Sequence, residues 1–416
     1  MRYSEVFVPG GFPRYTYNPR TSRKLEERLT EVADNLCKLA TVTGHTKSGK
    51  TVLVRGAFPT DKAIWVDGGT VGEEEDFWSS IIEQLELFQG TSEESSNGKS
   101  SEIGTEGSAE ANFLVAKGTG KITGKTGESR TSTKVETRTA SSRVAALAGL
   151  REANIPLIVD DFHYIPRDLQ GSLVRALKSP IFDSLPVILI AIPHRRYDAL
   201  KVEKEMTGRL HPIDVPLWEE DELQFIPQTG FPLINSTISE GAVKSFSEEA
   251  IGSPHLIQDF CRALCRQNGI KTENDGHYLE PSKADLEEIY SEVAETIGRP
   301  IFEKLARGPR QRTDRIQRKL KNGIEVDIYG LVLHALAHIR PGLVTLEYEE
   351  LRAAVREVAV DIPQLQEVTR VLRHMASIAA SDESSTPVID FEEEEKVLHI
   401  TDPFFAFYLR WGNMDG

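Results

Sequence analysis

The stretch TVTGHTKSGKTVLV, residues 41–54, constrains this chain more than any other feature of its sequence. Gly44, Gly49, Lys50 and Thr51 occupy every fixed position of the pattern G-x-x-x-x-G-K-[ST]. An apolar run typical of a buried strand precedes the pattern, and an apolar helix start follows it. In that context successive backbone N–H groups at a helix N-terminus face an anion, so the stretch predicts a phosphate-binding loop. The residues expected to contact the nucleotide are Gly44, His45, Thr46, Lys47, Ser48, Gly49, Lys50, Thr51 and Val52.

A second motif, NIPLIVDDFHYIP, supplies the acidic partner that such a loop needs. The apolar run 155–159 reads as a buried strand, and it ends in Asp160 and Asp161. We expect Asp160 and the Thr51 hydroxyl to hold Mg²⁺, and Asp161 to orient or activate a water molecule. Lys50 would contact the β- and γ-phosphates. The two motifs together predict a nucleoside triphosphate site, with ATP favoured because no guanine-reading motif is evident.

Composition bounds the class of protein. The chain has 416 residues, 39% hydrophobic and 27% charged, with a formal net charge of −15. This describes an ordinary globular protein of two or three domains and argues against one that coats nucleic acid. The sequence has only three cysteines, no apolar run long enough to span a membrane and no signal-peptide core at its N-terminus. A cytoplasmic location without membrane contact is therefore expected.

The order of elements predicts an α/β fold, a doubly wound parallel sheet of the P-loop NTPase type, with a helical lid and a C-terminal winged-helix domain. Leu185–Pro193 is apolar throughout and should be a central strand, whereas His211–Trp218 should be a last, shorter one. About half of residues 91–140 are Gly, Ser or Thr, which favours a flexible insert. The predicted domains are an N-terminal arm (1–24), a core (25–218), a lid (219–298), a basic linker (299–323) and the winged helix (324–416).

Three arginine or histidine positions could add charge to the site. His194 and Arg195 follow the central strand, where a polar side chain could contact the γ-phosphate or the attacking water. A charged loop that caps the sheet is the alternative interpretation. Arg209 precedes the last strand, from which an arginine could reach a neighbouring chain's site and offset transition-state charge. A structural role for Arg209 has equal weight.

Residues distant from the loop could complete the nucleotide pocket. Pro254 and His255 follow a glycine at the start of a lid helix, a position suited to a helix N-terminus over phosphates. Tyr17 and Arg20, upstream in the arm, could line the base. Packing of the arm against the sheet edge would explain these two residues equally well.

The combination of GHTKSGKT, IVDDFHYI, AIPHRR, GSPHLIQ and a terminal winged helix resembles the STAND/AAA+-like ATPases, including bacterial Orc-like ATP-binding proteins. The resemblance covers roughly residues 15–411. It implies a nucleotide-gated switch whose magnesium, phosphate and switch roles map onto Thr51, Lys50, Asp160, Asp161 and Pro254. His255 stands where many AAA+ proteins carry a sensor arginine, which argues against fast hydrolysis. No effector domain or repeat sensor is evident, so the resemblance implies self-association or a separate effector chain.

Three functions compete on this sequence. The leading hypothesis is a slowly hydrolysing ATPase that acts as a switch with ATP, ADP and Mg²⁺, in a prokaryotic-defence setting that the resemblance alone suggests. The second is a DNA-associated ATPase, such as a loader or transposition regulator, which the basic stretch 299–323 favours and the acidic wing DFEEEE opposes. The third is a nucleotide-binding scaffold without turnover.

Overall fold

The computed structural model describes residues 1–34, 37–87, 91–95, 132–136, 141–192, 208–273, 275–309, 316–343, 345–381 and 387–414. These residues form two compact units. One comprises residues 1–72 and 155–416, and the other comprises residues 73–154.

A five-stranded parallel sheet is the centre of the larger unit. Its strands are β1 (Leu39–Gly44), β2 (Ile64–Asp67), β5 (Leu157–Asp160), β6 (Val187–Ala191) and β7 (Leu210–Val215), in the spatial order β2-β5-β6-β1-β7. The middle strand β6 is buried along its whole length, as its apolar sequence predicts. β7 forms an edge and is six residues long like β1, so the prediction of a shorter last strand is wrong. Because all five strands run in one direction, their carboxyl ends meet at a single edge of the sheet.

Helices α2 (Leu25–Ala33) and α3 (Lys50–Ala57) pack against this sheet through an apolar core. The large unit also contains α6 (Arg167–Phe182) and 3₁₀ turns at Gly68–Thr70 and Phe162–Tyr164. Leu25, Leu29 and Val32 of α2 are buried against the same core as Leu53 and Val54 of α3. α2 ends at Ala33, and Leu39 begins β1.

The N-terminal arm contains regular structure and apolar anchors. It contains a short helix, α1 (Tyr3–Val6), and a 3₁₀ turn at Thr21–Arg23. Val6 and Phe7 are fully buried, and the Phe7 ring lies 4.9 Å from that of Phe231. A Cβ on Gly230 would lie 2.3 Å from the Phe7 ring, so this glycine permits the close contact. Two apolar side chains thus anchor the N-terminal arm in the hydrophobic core.

The region after β7 is mostly helical. Its elements are α7 (Glu220–Leu233), β8 (Ser236–Ile238), α8 (Glu240–Glu249), α9 (Pro254–Gln267), β9 (His277–Leu279), α10 (Lys283–Ile297) and α11 (Arg299–Arg307). β8 and β9 pair in parallel within residues 219–298, so the predicted lid is not helical throughout. The predicted basic linker also contains regular structure, because α11 and β10 (Arg318–Lys319) lie within it.

The C-terminal region combines helices with a small sheet. Its elements are β11 (Glu325–Val326), α12 (Ile328–Ile339), β12 (Thr345–Glu347), α13 (Tyr348–Val358), α14 (Leu365–Ala380), β13 (Ile389–Glu392), β14 (Val397–Ile400) and α15 (Pro403–Trp411). The strands β12, β14 and β13 form an antiparallel sheet. One hydrophobic core runs from the arm through α7–α10 to α15, where the ring of Phe407 lies 5.1 Å from that of Phe260.

The smaller unit contains α4 (Glu74–Gln84), β3 (Thr91–Ser95), β4 (Ser132–Glu136) and α5 (Ser142–Ala153). α4 packs on α5, and the absence of a side chain on Gly149 permits the approach of Leu87. β3 pairs with β4 in antiparallel fashion. The rest of the predicted flexible insert lies outside the described residues. No helix in the described ranges of the chain is both long and apolar enough to cross a membrane.

Candidate functional site

A cavity of about 300 Å³ lies at the carboxyl edge of the large unit's sheet. The loop between β1 and α3 forms one wall, and residues of the arm, of the segment after β7 and of α9 form the other. The predicted site residues that line it are Tyr17, Arg20, Thr46, Lys47, Ser48, Gly49, Lys50, Thr51, Val52, Asp161, Pro254 and His255. The fold therefore gathers side chains that are more than two hundred positions apart in the sequence.

Two glycines give the loop its shape. Gly49 has φ = +88°, a conformation that L side chains rarely adopt. A Cβ on Gly44 would lie 2.5 Å from the Val215 carbonyl oxygen and 2.9 Å from the Ser48 hydroxyl. The Ser48 hydroxyl is buried and has no hydrogen-bond partner among the described residues. A buried hydroxyl without a partner in an anion-binding loop fits a phosphate oxygen as its acceptor.

Lys50 is fixed by its own loop. Its ammonium donates to the carbonyl oxygens of Gly44 (2.9 Å) and His45 (2.8 Å). These two bonds leave one of the three N–H donors for a ligand. Burial lowers the pKa of Lys50 to about 8, although Asp161 and Asp160 oppose this shift. An anion in the cavity would favour the charged ammonium further.

The predicted metal ligands are adjacent. The Thr51 hydroxyl donates to Asp160 Oδ1 at 3.2 Å, and the backbone N–H of Asp161 donates to the same oxygen at 3.0 Å. Burial raises the pKa of Asp160, while the bonds from Thr51 and Asp161 oppose the rise. A hydroxyl beside a carboxylate suits Mg²⁺, which is usually bound through few protein oxygens. The residues present therefore fit the ion that the sequence predicts.

Asp161 faces the cavity from a constrained backbone. It has φ = +49° at the start of the 3₁₀ turn after β5. A Cβ on Gly68 would lie 2.5 Å from the Asp161 carbonyl oxygen, so the turn after β2 closely supports this residue. Burial and the neighbouring Asp160 raise the pKa of Asp161 to about 6, and Lys50 partly offsets them. At neutral pH the carboxylate is mostly ionised and can accept a proton from water.

The wall formed by the arm and lid contacts the loop through Trp218. Its indole N–H donates to the Ser48 carbonyl oxygen at 2.9 Å, and the Arg20 guanidinium lies 4.9 Å from the Trp218 ring. Arg20 itself is buried and pairs with Glu222 at 2.7 Å. Its guanidinium also donates to the carbonyl oxygens of Pro216 and Leu217. Arg20 thus lines the cavity, while its charged group ties the arm to the segment that joins β7 to α7.

Tyr17 occupies a similar position. Its ring lines the cavity, and its hydroxyl donates to Glu26 of α2 at 2.6 Å. The ring of Phe12 is stacked on it with centroids 5.9 Å apart. The arrangement leaves an aromatic surface beside the cavity and fits the prediction that Tyr17 faces a base, which remains a proposal.

The start of α9 closes another side. Pro254 is the first residue of the helix, and His255 follows it. His255 Nε2 lies 3.4 Å from Asp259 Oδ2, and its ring meets that of Phe404 edge-on at 4.8 Å. The Lys47 ammonium lies 5.3 Å from the centre of the same Phe404 ring. One aromatic side chain of α15 therefore contacts both the loop and the start of α9.

Two predicted contributors are placed elsewhere. Arg209 precedes β7 at the amino edge of the sheet, and its guanidinium lies 5.5 Å from the Phe182 ring. Because the loop is at the opposite edge, Arg209 could act only on another chain's site. His194 and Arg195 lie outside the described residues.

The sequence interpretation did not assign roles to Trp218, His163 and Tyr164. Trp218 ends an apolar segment, and nothing in its spacing indicates a bond to the loop. His163 and Tyr164 line the cavity two and three residues after Asp161. The quoted motif DDFHY contained them, so their proximity to the second aspartate was the available signal.

Solved structures were compared with the whole chain. A Walker-type ATPase of Pyrococcus abyssi aligns with a TM-score of 0.50 and 16% identity, over 93% of this chain and 94% of that one. The ORC2 protein of Aeropyrum pernix, in ADPNP–ADP complexes, has a TM-score of 0.45 and 13% identity, over 98% and 94% of the two chains. A STAND protein of Pyrococcus horikoshii with a tetratricopeptide repeat sensor has a TM-score of 0.35 and 11% identity, over 92% of this chain and 41% of that one.

These identities bear on the fold alone, and only the first alignment is close enough to carry that conclusion. Together with the parallel sheet and the loop geometry, it confirms the predicted α/β fold of P-loop ATPases. No family model and no curated protein matches the chain.

Proposed function

We propose that this protein binds ATP with Mg²⁺ and hydrolyses it slowly, and that the bound nucleotide changes its assembly or its contacts with a partner. The observation that carries the proposal is the convergence of Lys50, the Thr51–Asp160 pair and Asp161 around one cavity. A buried cation, a metal-binding pair and a free carboxylate are the three groups that phosphoryl transfer to water requires.

The residues of the cavity would have three separate roles, toward the phosphates, the metal and the attacking water. The loop amides, the Ser48 hydroxyl and the Lys50 ammonium would hold the phosphates, and Thr51 and Asp160 would hold the metal. Mg²⁺, when bound, supplies positive charge that offsets the charge developing on the transferred phosphoryl group. Asp161 orients a water molecule and accepts its proton.

The switch part of the proposal rests on the contact between Lys47 and Phe404. Lys47 is in the loop, and Phe404 is the second residue of α15. Other residues of α15 belong to the core that α9 and α10 share, and the ring of Trp411 lies 4.9 Å from that of Tyr290. A ligand that moves Lys47 would therefore alter a contact made by the C-terminal region. We propose that this region is a winged-helix domain, and that the effector is a separate chain in prokaryotic defence, on the resemblance alone.

DNA association remains a weaker alternative. Arg373 of α14 pairs with Glu393, and Arg318 pairs with Glu367 at 2.8 Å. These acids compete with phosphates for two of the cations that a DNA-binding surface would need. The described ion pairs therefore favour the switch over the DNA-associated ATPase.

Phosphate release and solution mass test the proposal together. We expect the protein to release phosphate slowly from ATP, and only when Mg²⁺ is present. We also expect its mass in solution, or its binding to a partner, to differ between the ADP and ATP states. Lys50→Ala should abolish both effects. Binding of ATP without measurable phosphate release would favour the scaffold hypothesis. Absence of both ATP binding and phosphate release would refute the proposal.

A further inference from the structure

His255 and Asp259 form a histidine–carboxylate pair in the wall of the nucleotide cavity. They are one helical turn apart at the start of α9, and both side chains are about four-fifths buried, with exposed fractions of 22% and 21%. His255 Nε2 lies 3.4 Å from Asp259 Oδ2. That oxygen is buried and has no hydrogen-bond partner in the part of the chain that the structure describes. A buried carboxylate oxygen aimed at an imidazole nitrogen would gain a charge-assisted bond if the ring became protonated.

The surroundings of the His255 ring confine it on two further sides. A Cβ on Gly10 would lie 3.1 Å from His255 Cε1, so the arm packs closely on the ring. Phe404 covers another side. The ring also lines the cavity, together with Lys47, Lys50 and Thr51. The ring is therefore packed on two sides and also lines the cavity where a nucleotide would bind.

The charges around the pair oppose protonation in the protein alone. Burial lowers the pKa of His255 to about 4, and the nearby Lys47 contributes to the shift. Burial raises the pKa of Asp259 to about 6, and Arg262 and Arg266 partly offset it. Asp402, at the start of α15, interacts electrostatically with Lys47. Near neutral pH the ring is therefore neutral and the carboxylate is ionised. A phosphate anion in the cavity would counter Lys47 and favour a second positive charge.

We propose that His255, oriented by Asp259, contacts the terminal phosphate of the bound nucleotide and takes up one proton from solvent when that phosphate arrives. This inference rests on the proposed ATP site and adds a condition to it, since a histidine provides its charge only after gaining a proton. ATP would be bound as a charge-assisted complex of imidazolium and phosphate, with Asp259 on the far side of the ring. Binding should therefore strengthen as pH falls toward about 6, until Asp259 becomes protonated.

Titration calorimetry with Mg-ATP in buffers of different ionisation enthalpy measures this proton uptake. At about pH 6.5 we expect the wild type to take up between about half a proton and one proton more per ATP than His255→Gln. The difference between the two proteins removes protons exchanged by the nucleotide itself. Mg-ADP should give a smaller difference. Asp259→Asn should bind ATP with reduced uptake, because the counter-charge is lost.

Two further variants separate a charge effect from a structural one. His255→Arg carries a permanent charge, so it should bind ATP without the additional uptake and with a weaker pH dependence. His277→Gln changes an exposed histidine of β9 and should behave like wild type. Equal buffer dependence in wild type and His255→Gln would overturn the inference while leaving ATP binding intact. Absence of ATP binding in the wild type would overturn both, and would be recognised as failure of the proposed site.

Discussion

The two walls of the cavity hold their charges in different ways. On the loop side the charges belong to adjacent residues of two motifs, and backbone groups fix them: Lys50 donates to Gly44 and His45, and Asp160 accepts from Asp161. On the arm and lid side the charges come from distant segments and neutralise one another, as Arg20 and Glu222 do. The loop wall carries charges that are present before an anion binds. On the other wall the Arg20–Glu222 pair is already neutralised, so this wall would respond to what the first wall binds.

Substitution of Asp161 in the loop wall should reduce ATP turnover more than ATP binding. Asp161→Asn keeps the size of the side chain but cannot accept a proton from water, so we expect turnover to fall by roughly 10²–10⁴-fold. Affinity for ATP should change by only a few fold. Phosphate release measured beside ATP binding checks this, with Asp168→Asn, an exposed acid in the first turn of α6, as the control. Normal turnover in Asp161→Asn would remove this residue from the mechanism.

Breaking the buried pair of the opposite wall should instead cost stability. Arg20→Leu leaves Glu222 buried without its main partner, and we expect a loss of about 3 kcal/mol in the free energy of unfolding. Arg23→Leu is the matched control, because Arg23 bonds the same carboxylate from a more exposed position. Chemical denaturation should show the larger loss for Arg20→Leu. Similar losses for both variants would mean that burial does not set the strength of this network.

As pH rises through the pKa of Asp161, the ionisation of this residue should increase ATP turnover and decrease the stability of the folded protein. Its pKa in the folded protein, about 6, is above its ordinary value, so turnover should fall as pH drops through about 6. The folded state holds this proton more tightly than the unfolded state does. Ionisation of Asp161 therefore destabilises the folded protein above about pH 6, and this destabilisation disappears below the ordinary pKa of an aspartate. Asp161→Asn should raise the melting temperature at neutral pH, which differential scanning calorimetry measures. A lower melting temperature than that of the wild type would contradict this account.

The smallest effect should come from the bond that joins the walls. Trp218→Phe removes the N–H donor to the Ser48 carbonyl, and we expect ATP affinity to weaken by a few fold, on the order of 1 kcal/mol. Trp65→Phe is the control, since its indole makes the same kind of bond to the Phe58 carbonyl away from the cavity. If both variants bind ATP equally well, the Trp218 contact serves only the fold.

The difference between the walls also explains what the sequence could predict. Lys50, Thr51, Asp160 and Asp161 follow from local spacing, because a strand, a tight turn and a helix start are fixed by neighbouring residues. The central position of β6 follows from its continuous apolar run in the same way.

The arm and lid wall depends on contacts between segments that are far apart in the chain. The bond from Trp218 to Ser48 spans 170 positions, and that from Arg20 to Glu222 spans 202. No local pattern encodes such a pairing. The anchoring of the N-terminal arm could not be predicted for the same reason, since the Phe7 ring lies against Phe231 of a helix that begins more than two hundred residues later.

Direct ATP binding is the measurement that tests the central claim most directly. Equilibrium dialysis with labelled ATP should give one nucleotide per chain, tighter with Mg²⁺ than without it. Lys50→Ala should weaken binding by at least about tenfold, because a buried charge-assisted bond to phosphate is lost. Lys62→Ala, which removes an exposed lysine before β2, should leave it unchanged. No binding by the wild type, or equal binding by Lys50→Ala, would contradict the assignment of this cavity to a nucleotide.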